Sequence, residues 1–216
     1  QISTAEYPWL PTNPPLDGFP PLEGYLFPDT YQIAVGEAIT PKAVIQQMLQ
    51  RFEQVALPIY QNAKTQGKTN LSFTEWVTLS SVIEKEAVVP EERSLIAGVF
   101  YNRLQKGMPL ASDPTVEYAF GIEQTPDRPL LFREVETPHP YNTYVNPGLP
   151  PAPIASPGKA SLEAALNPEK TDYLYFVARY DGTHVFSQTL AEHVAAQDKI
   201  HDKREASQQT NPINKQ

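Results

Sequence analysis

The sequence predicts an α+β fold in which helices surround a small antiparallel sheet. A capped amphipathic stretch and a proline corner predict two consecutive helices between Ser72 and Gly107. Alternation and aromatic content predict a strand in residues 171–180, and the turn signal Asp181-Gly182 followed by THVFS completes a hairpin. A chain of 216 residues that is 40% hydrophobic can bury one core of this kind.

Residues 1–21 are predicted to be a proline-rich lead-in that docks on the rest of the chain and is not a domain. Prolines here, and onward to Pro28, favour extended structure, and the aromatic residues among them can serve as anchors. These aromatic residues are Trp9, Phe19, Tyr25 and Phe27. The loosely alternating segment 22–33 then predicts a short strand with a turn at Pro28-Asp29.

A long apolar stripe follows the lead-in. A helix is predicted to begin at Thr40-Pro41, where the threonine can cap and proline suits the first helical position. Apolar residues recur at helical spacing, which is typical of a face packed on the core. Pro58 is expected to interrupt this helix.

The two central helices have strong local signals. Ser72 with Glu75 three residues later is a capping box, in which each residue satisfies a free backbone N–H of the other. The residue before Pro90 is disfavoured in the α region, so the first helix ends there and Pro90 opens the second. Gly107 most easily adopts the left-handed conformation that ends a helix. Two helices that meet at such a corner can form one wall of a cleft.

These helices carry charged residues beside their apolar faces. At about 100° per residue, Glu84 and Glu86 fall near opposite edges of the apolar arc of the first helix. Arg103 lies in the apolar stripe of the second helix, with Asn102 next to it. A buried arginine needs a partner. From geometry alone, an internal ion pair with a glutamate, an arginine that reaches the surface along its aliphatic stem, and a functional role all remain open.

The next segment is short and rich in loops. Ser112-Asp113-Pro114 predicts the start of a short helix that ends at Gly121. From sequence alone, Asp113 is either a helix cap or a residue that lines a cleft.

Prolines recur densely in residues 125–157, where little regular structure is predicted. Long irregular segments within compact domains are often functional. Tyr141, Asn142 and Tyr144 together suit a carbohydrate, because a ring can stack on a sugar and an amide can bind hydroxyl groups. A rigid proline-rich surface loop is an equally open interpretation.

The final third is predicted to be more regular. A helix should cover residues 156–166, before the hairpin. A last helix, capped by Ser187 or by Thr189, should run to about Lys203. Residues 206–216 are polar and without apolar periodicity, and they are predicted to be a flexible tail.

Composition excludes several classes of function. A net charge of -8 and a pI near 5.0 argue against a nucleic-acid-binding protein. The absence of cysteine excludes disulfides and thiolate metal sites, and the four scattered histidines lack the spacing of a zinc site. Of these, His184 and His193 fit either packed positions or a cleft. No metal or cofactor is predicted. No apolar run approaches the roughly 20 residues of a membrane span, so the chain is expected to be soluble, whole or cut from a longer protein.

Several long motifs occur in one order. They are LEGYLFPDTY, SSVIEKEA, ERSLIAGVFYNRLQKGMPLASDPTVEYA, YNTYVNPGLPPAPIASPGKASLEAALNP, YLYFVA, DGTHVFS and TLAEH. This series, over residues 22–198, resembles the MltG-like or YceG-like family of endolytic murein lytic transglycosylases. The resemblance implies a YceG-like catalytic domain at residues 22–205. Family members usually begin with a membrane-spanning helix and a small LysM-like module, so the chain is expected to be the catalytic part of a membrane-anchored protein.

The resemblance also implies a reaction and a catalytic residue. The second glutamate of the family's E-K-E motif is the catalytic acid, which makes Glu86 the acid here and Glu84 a supporting residue. The implied substrate is the peptidoglycan glycan strand, cut at the MurNAc-β-1,4-GlcNAc bond to leave a 1,6-anhydroMurNAc end and to terminate strand elongation. The implied location is the bacterial cell envelope, at the periplasmic or extracytoplasmic face of the inner membrane. Cell-wall synthases are the expected protein partners.

Further substrate-binding roles are hypotheses. They fall to Glu84, Asn102, Arg103, Asp113, Thr115, Tyr118, Tyr141, Asn142 and Tyr144. Arg103 is expected to pair with Glu84, Glu23 or substrate, since a cation close to Glu86 would lower the pKa that an acid needs.

Two other functions stay open at this point. One is a non-catalytic peptidoglycan-binding scaffold that positions cell-wall synthases. The other is a true hydrolase, which would leave reducing ends instead of anhydro ends.

Overall fold

The computed structural model describes residues 5–12, 16–32, 40–125 and 128–210. Its helices are α1 (Pro41–Thr65), α2 (Phe73–Glu86), a 3-10 turn (Pro90–Glu92), α3 (Arg93–Gln105), α4 (Asp113–Phe120), α5 (Phe132–Glu136), α6 (Lys159–Ala164) and α7 (Leu190–Thr210). Its strands are β1 (Tyr175–Ala178) and β2 (His184–Ser187), which pair antiparallel. The predicted α+β class is therefore confirmed. Across the described part of the chain, no helix is both long enough and apolar enough to cross a membrane.

Helix α2 lies at the centre of the core. The Ser72 hydroxyl accepts from the Glu75 N–H, and the Glu75 carboxylate accepts from the Ser72 N–H at 2.7 Å, so the predicted capping box is confirmed. Trp76 is fully buried and its indole N–H donates to the carbonyl of Leu162 at 3.0 Å, which ties α2 to the segment around α6. The helix ends at Glu86, ahead of the proline corner.

The predicted interruption at Pro58 is wrong, because α1 continues through it to Thr65. Proline removes one hydrogen bond of the helical ladder and crowds the preceding turn. Phe52 and Ala56 on one side of Pro58, and Ala63 on the other, are all buried on the core. Packing of this face on both sides of the proline compensates for the local cost.

The lead-in packs into the same core as the helices. Trp9 stacks on Phe52 with 5.2 Å between ring centroids and donates its indole N–H to Glu53 at 3.1 Å. Tyr25 and Phe27 are buried as well. The aromatic side chains thus anchor this segment to α1 and α2.

The predicted strand at residues 22–33 does not form in its described part, residues 22–32; Ile33 lies outside the described residues. Consecutive turns replace it, with Tyr25 N–H donating to the Leu22 carbonyl at 3.0 Å. Gly24 has a φ of 90°, and Pro153 of the proline-rich loop lies directly against its α-carbon. A strand would exclude this positive φ and the close approach that it permits.

The corner and the short helices agree with the predictions more closely. Gly107 (φ 66°) and Gly121 (φ 62°) end α3 and α4 in the left-handed conformation, as predicted. The chain makes a 3-10 turn at Pro90 before α3 begins at Arg93. Helix α6 starts at Lys159, three residues later than predicted from Ser156, and the short helix α5 was not predicted.

The predicted hairpin is confirmed, with Tyr175 opposite Ser187. Thr189 caps α7, because its hydroxyl accepts from the Glu192 N–H at 3.2 Å. Helix α7 continues to Thr210 and is longer than predicted; residues 211–216 lie outside the described part.

We expect Gly24→Ala to destabilise the fold more than Gly107→Ala. Both glycines have a positive φ, which costs an alanine about 1 kcal/mol. Only at Gly24 would the added Cβ overlap Pro153, whereas nothing lies within 4 Å at Gly107, and such overpacking adds about 1–3 kcal/mol. Urea unfolding of both variants measures the difference, and equal losses would contradict the close contact between Gly24 and the proline-rich loop.

Candidate active site

Glu86 is the last residue of α2, and its half-buried carboxyl group faces the start of α4. Oε1 accepts a hydrogen bond from the Ser112 hydroxyl at 2.6 Å. The helix ends here because Ala87 is extended, with a ψ of 108°, and the proline corner follows. A carboxylate at a helix C-terminus faces the negative end of the helix dipole, which favours its protonated form.

The surroundings raise the pKa of Glu86 to about 7. Burial is the largest cause, because it removes water from the charged form. The Ser112 hydrogen bond and the positive charge of Arg103 lower this pKa, whereas the negative charges of Asp113 and Glu117 raise it. Burial and the acidic neighbours prevail, so the carboxyl group carries a proton through much of the neutral range.

Ser112 was missed as a site residue by sequence reasoning, which treated it only as part of the start of the short helix. It flanks α4 in the N-cap position, but its side chain makes no capping hydrogen bond and binds Glu86 instead. The Thr115 hydroxyl donates to the Ser112 carbonyl at 2.6 Å, and the Ser112 N–H donates to the Thr143 hydroxyl at 3.1 Å. Thr115 is fully buried, so it supports Ser112 and does not reach a ligand directly.

Asp113 is held in a fixed position beside Glu86. Its Oδ1 accepts from the Tyr144 hydroxyl at 2.5 Å, and its Oδ2 accepts from the Gln124 amide at 2.8 Å. Burial raises the pKa of Tyr144, and the charge of Asp113 and the hydrogen bond to it raise this pKa further, so the phenol stays a donor. Asp113 therefore does more than cap a helix, and a contact of Asp113 or Tyr144 with a ligand stays a prediction.

Arg103 does not pair with a carboxylate in the described residues. Its Nε donates to the carbonyl of Leu174 and its Nη1 to that of Leu110, both at 2.6 Å, with a longer contact to Pro109. The guanidinium carbon also lies 5.1 Å from the centre of the Tyr175 ring. The predicted pairing with Glu84 or Glu23 is wrong, because the guanidinium N–H groups donate to backbone carbonyl groups instead.

Glu84 and Asn102 hold neighbouring segments in place. One oxygen of Glu84 accepts from the Gly158 N–H at 3.2 Å and from the Ser161 hydroxyl at 2.5 Å, so it anchors the start of α6. The amide of Asn102 donates to the carbonyl of Thr171 at 2.7 Å and to that of Tyr173 at 2.9 Å. These contacts do not support the predicted ligand contacts, and they give both residues structural roles.

The loop residues Tyr141 and Asn142 are fully buried. The Asn142 amide donates to the carbonyls of Val135 and Thr137, and its oxygen accepts from the Tyr144 N–H at 2.9 Å. This geometry makes Asn142 the organiser of the loop and does not support a direct contact with a glycan.

Tyr141 packs between aromatic rings, with Phe19 stacked at 4.7 Å and Tyr118 tilted at 5.0 Å. Burial raises the pKa of Tyr141 to about 12, and the pKa of Tyr118 is raised for the same reason. Neither hydroxyl group has a hydrogen-bond partner in the described residues. The hydroxyl group of Tyr118 is buried but its side chain as a whole is partly exposed, so of the two tyrosines it is the one whose ring a ligand can reach.

The two histidines that fitted either a packed position or a cleft take separate places. His184 is buried, and its Nδ1 lies 2.7 Å from the Glu92 carboxylate, which joins β2 to the 3-10 turn. The ring of His193 stacks on Tyr175 at 5.3 Å.

A cavity of about 900 Å³ lies between the hairpin and α7, and Glu86 does not line it. Basic side chains, Arg179 and Lys199 among them, share this cavity with apolar residues. The cavity therefore does not contain the acid whose pKa is raised. The candidate site is assigned to Glu86 from its pKa and its hydrogen bond, not from the cavity. In the described ranges, no group of three or more His, Asp or Glu residues is placed to hold a metal ion.

Comparison with known proteins gives a consistent result. Residues 5–199 match the sequence model of the YceG-like family. An endolytic murein transglycosylase of Bacillus subtilis (strain 168) is 45% identical over 180 residues, which cover 83% of this chain and 48% of the relative. Its counterpart in Streptococcus pneumoniae serotype 2 (strain D39) is 39% identical over 186 residues, which cover 80% of this chain and 32% of the relative.

A solved structure resembles the fold as well. The crystal structure of a YceG-like protein from Listeria monocytogenes superposes with a TM-score of 0.78 and 43% identity, over 89% of this chain and 62% of that one. The chain thus spans about half the length of the Bacillus relative and about a third of the pneumococcal one.

We expect the Glu86 carboxyl group to titrate with a pKa of about 7. Carbon-13 NMR of labelled glutamate, assigned with Glu86→Gln, measures it. Because this pKa lies above the ordinary value of 4.5, the stability that Glu86 contributes should be lost as the pH rises from 4.5 to 7, so the wild type should lose more stability over this range than Glu86→Gln. Asp113→Asn should lower the Glu86 pKa by removing a negative neighbour, and a wild-type midpoint near 4.5 would contradict the burial of this acid.

Proposed function

This chain belongs to the YceG-like family, and from that premise we propose that it is an endolytic peptidoglycan lytic transglycosylase. It cleaves MurNAc-β-1,4-GlcNAc bonds in glycan strands and leaves 1,6-anhydroMurNAc ends, in agreement with the names of its relatives. The observation that carries this proposal is the half-buried Glu86, whose pKa is raised to about 7 mainly by burial. A carboxyl group that is protonated near neutral pH is what a general acid requires.

One carboxyl group suffices for this reaction. Protonated Glu86 gives its proton to the glycosidic oxygen as the bond from C1 of MurNAc to that oxygen breaks. The C6 hydroxyl of the same sugar attacks C1 and gives its proton to the Glu86 carboxylate. A 1,6-anhydro ring closes, a free hydroxyl forms on the departing GlcNAc, and Glu86 is protonated again. No water is consumed.

The hydrogen bonds of Asp113 support this route over hydrolysis. Hydrolytic glycosidases use two carboxylates, the second to activate water or to form a covalent intermediate. Asp113 is the carboxylate next to Glu86, but Tyr144 and Gln124 occupy its two oxygens. A carboxylate held in this way is a poor nucleophile and a poor base. It contributes negative charge, which favours the protonated form of Glu86 and a positively charged oxocarbenium-like transition state.

Binding of the glycan is proposed to involve the accessible polar groups around Glu86. These groups are Asp113 and Tyr144, which hydrogen-bond each other beside Glu86. The partly exposed ring of Tyr118 is proposed as a further contact for the glycan. Arg103 contributes through its positive charge and by holding Leu110 next to Ser112. Asn102, Thr115, Tyr141 and Asn142 act behind them by fixing the loops and helices.

The biological setting is also proposed from the family. The catalytic domain is residues 22–205, with residues 1–21 as a lead-in that docks through Trp9. A peptidoglycan substrate supports a location in the bacterial cell envelope. We propose that the domain acts at the extracytoplasmic face of the inner membrane as part of a membrane-anchored protein, where it would cut nascent strands and end their elongation. Cell-wall synthases are the partners that such a position implies.

We expect the protein to release fragments with 1,6-anhydroMurNAc ends from purified sacculi. Glu86→Gln should reduce their rate of release by about 10²–10⁴-fold, because that is the usual contribution of a general acid–base group. Chromatography with mass spectrometry measures the ends. Glu91→Gln is the matched control, since Glu91 is exposed in the 3-10 turn, and it should leave the rate unchanged.

Two outcomes would overturn the proposal. Reducing ends that disappear with Glu86→Gln would identify a hydrolase. Sedimentation of the protein with sacculi and no released fragments would identify a binding scaffold.

A further inference from the structure

The Ser112 hydroxyl is the side-chain group that hydrogen-bonds Glu86 in the described residues. The two oxygens are 2.6 Å apart, and Ser112 is only 1% exposed. A hydrogen bond of this length to a carboxylate is strong and directional. It fixes one side of the Glu86 carboxyl group.

Two threonines fix Ser112 in turn. The hydroxyl groups of Thr115 and Thr143 bind its carbonyl and its N–H, and these hydroxyl groups lie 2.8 Å from each other. Ala111, the residue before it, has a φ of 47°, a conformation that costs free energy for a residue with a Cβ. The Ala111 N–H donates to the Thr143 carbonyl at 3.0 Å. The chain thus holds a strained backbone where it presents Ser112 to Glu86, and such strain clusters at functional sites.

The second oxygen of Glu86 is in a different situation. Oε2 makes no hydrogen bond with the described residues, and it is not among the fully buried side-chain atoms that lack a partner there. It is therefore not fully buried, and it is the oxygen of this half-buried residue that the described residues leave unbound.

We infer that Ser112 is a positioning residue, which holds Oε1 of Glu86 and leaves Oε2 as the oxygen that exchanges protons with the substrate. This inference rests on the proposed transglycosylase function. Oε2 delivers its proton to the glycosidic oxygen as the C1–O bond breaks, and it takes the proton of the C6 hydroxyl as the new C6–O–C1 bond forms. Ser112 neither gains nor loses a proton in this sequence. Its hydrogen bond to Oε1 stabilises the carboxylate that exists between the two transfers.

The same bond limits how far the pKa of Glu86 rises. Asp113 and Glu117 face Glu86 from α4 and favour its protonated form, as does burial, whereas Arg103 on α3 opposes them. Tyr144 on the loop is held on Asp113 and stays neutral. Ser112 is thus the uncharged group that opposes burial, and it acts by direct contact.

Ser112→Ala tests the inference. The pKa of Glu86, followed by carbon-13 NMR, should rise by about one pH unit or more, because the variant loses a hydrogen bond to the charged form. The alkaline limit of the pH–rate profile should move up with it. The maximal rate of anhydro-end formation should fall about 10- to 100-fold, with the substrate concentration for half-maximal rate unchanged.

Ser80→Ala is the matched control. Ser80 is a fully buried serine of α2 whose hydroxyl donates to the carbonyl of Trp76 at 2.7 Å. It should change stability without moving the Glu86 pKa or the pH profile. A Ser112→Ala variant with the wild-type Glu86 pKa and pH profile would overturn the inference.

The outcomes separate this inference from the proposed function. If Glu86→Gln abolishes anhydro ends and Ser112→Ala has no effect, the function stands and the role of Ser112 is wrong. If the wild type produces no anhydro ends, the proposed function fails and the inference that rests on it is overturned. A Glu86 pKa that still rises in Ser112→Ala would then establish only the hydrogen bond.

Discussion

The structure depends on one constraint, which is that a carboxyl group must keep its proton at the end of a helix without being sealed from a substrate. Burial raises the pKa of Glu86, but complete burial would prevent any contact with a glycan. The chain resolves this by binding one oxygen from the inside, through Ser112, and leaving the other, which is not fully buried, unbound by the described residues. The end of α2 before the proline corner, the start of α4 and the loop around Tyr144 meet at this carboxyl group.

Arg103 illustrates the second half of the constraint. A cation beside a general acid lowers its pKa, and a buried cation without a partner is costly. The carbonyl groups of Leu110 and Leu174 accept hydrogen bonds from the guanidinium, so the buried cation is solvated without a carboxylate partner, although its charge still lowers the pKa of Glu86. Because these carbonyl groups belong to the loop before Ser112 and to the segment before β1, the arginine also joins the hairpin to the site. A carboxylate partner would have neutralised the charge but added another acid to a crowded region.

Sequence reasoning succeeded where the signals are local. The capping box of Ser72, the left-handed Gly107 and the hairpin turn depend on neighbouring residues, and each was predicted within a few positions. It failed at Pro58 and in segment 22–33, because there tertiary packing overrides local preference. Glu86 came from the family resemblance, since helix geometry could not separate it from Glu84. Ser112 was missed because its partner is 26 residues away in the chain and Ser112-Asp113-Pro114 signals only the start of a helix.

In the proposed reaction, one side chain acts first as an acid and then as a base. These two roles require opposite protonation states, so the pKa must lie close to the working pH rather than far above or below it. Burial, Asp113 and Glu117 raise the pKa of Glu86, whereas Ser112 and Arg103 lower it. A bound glycan would displace the remaining water and strengthen the effects that raise this pKa. It would thereby favour the protonated form of Glu86, which the reaction needs at its start. Once that proton has left, the Ser112 hydrogen bond stabilises the carboxylate until the C6 hydroxyl restores it.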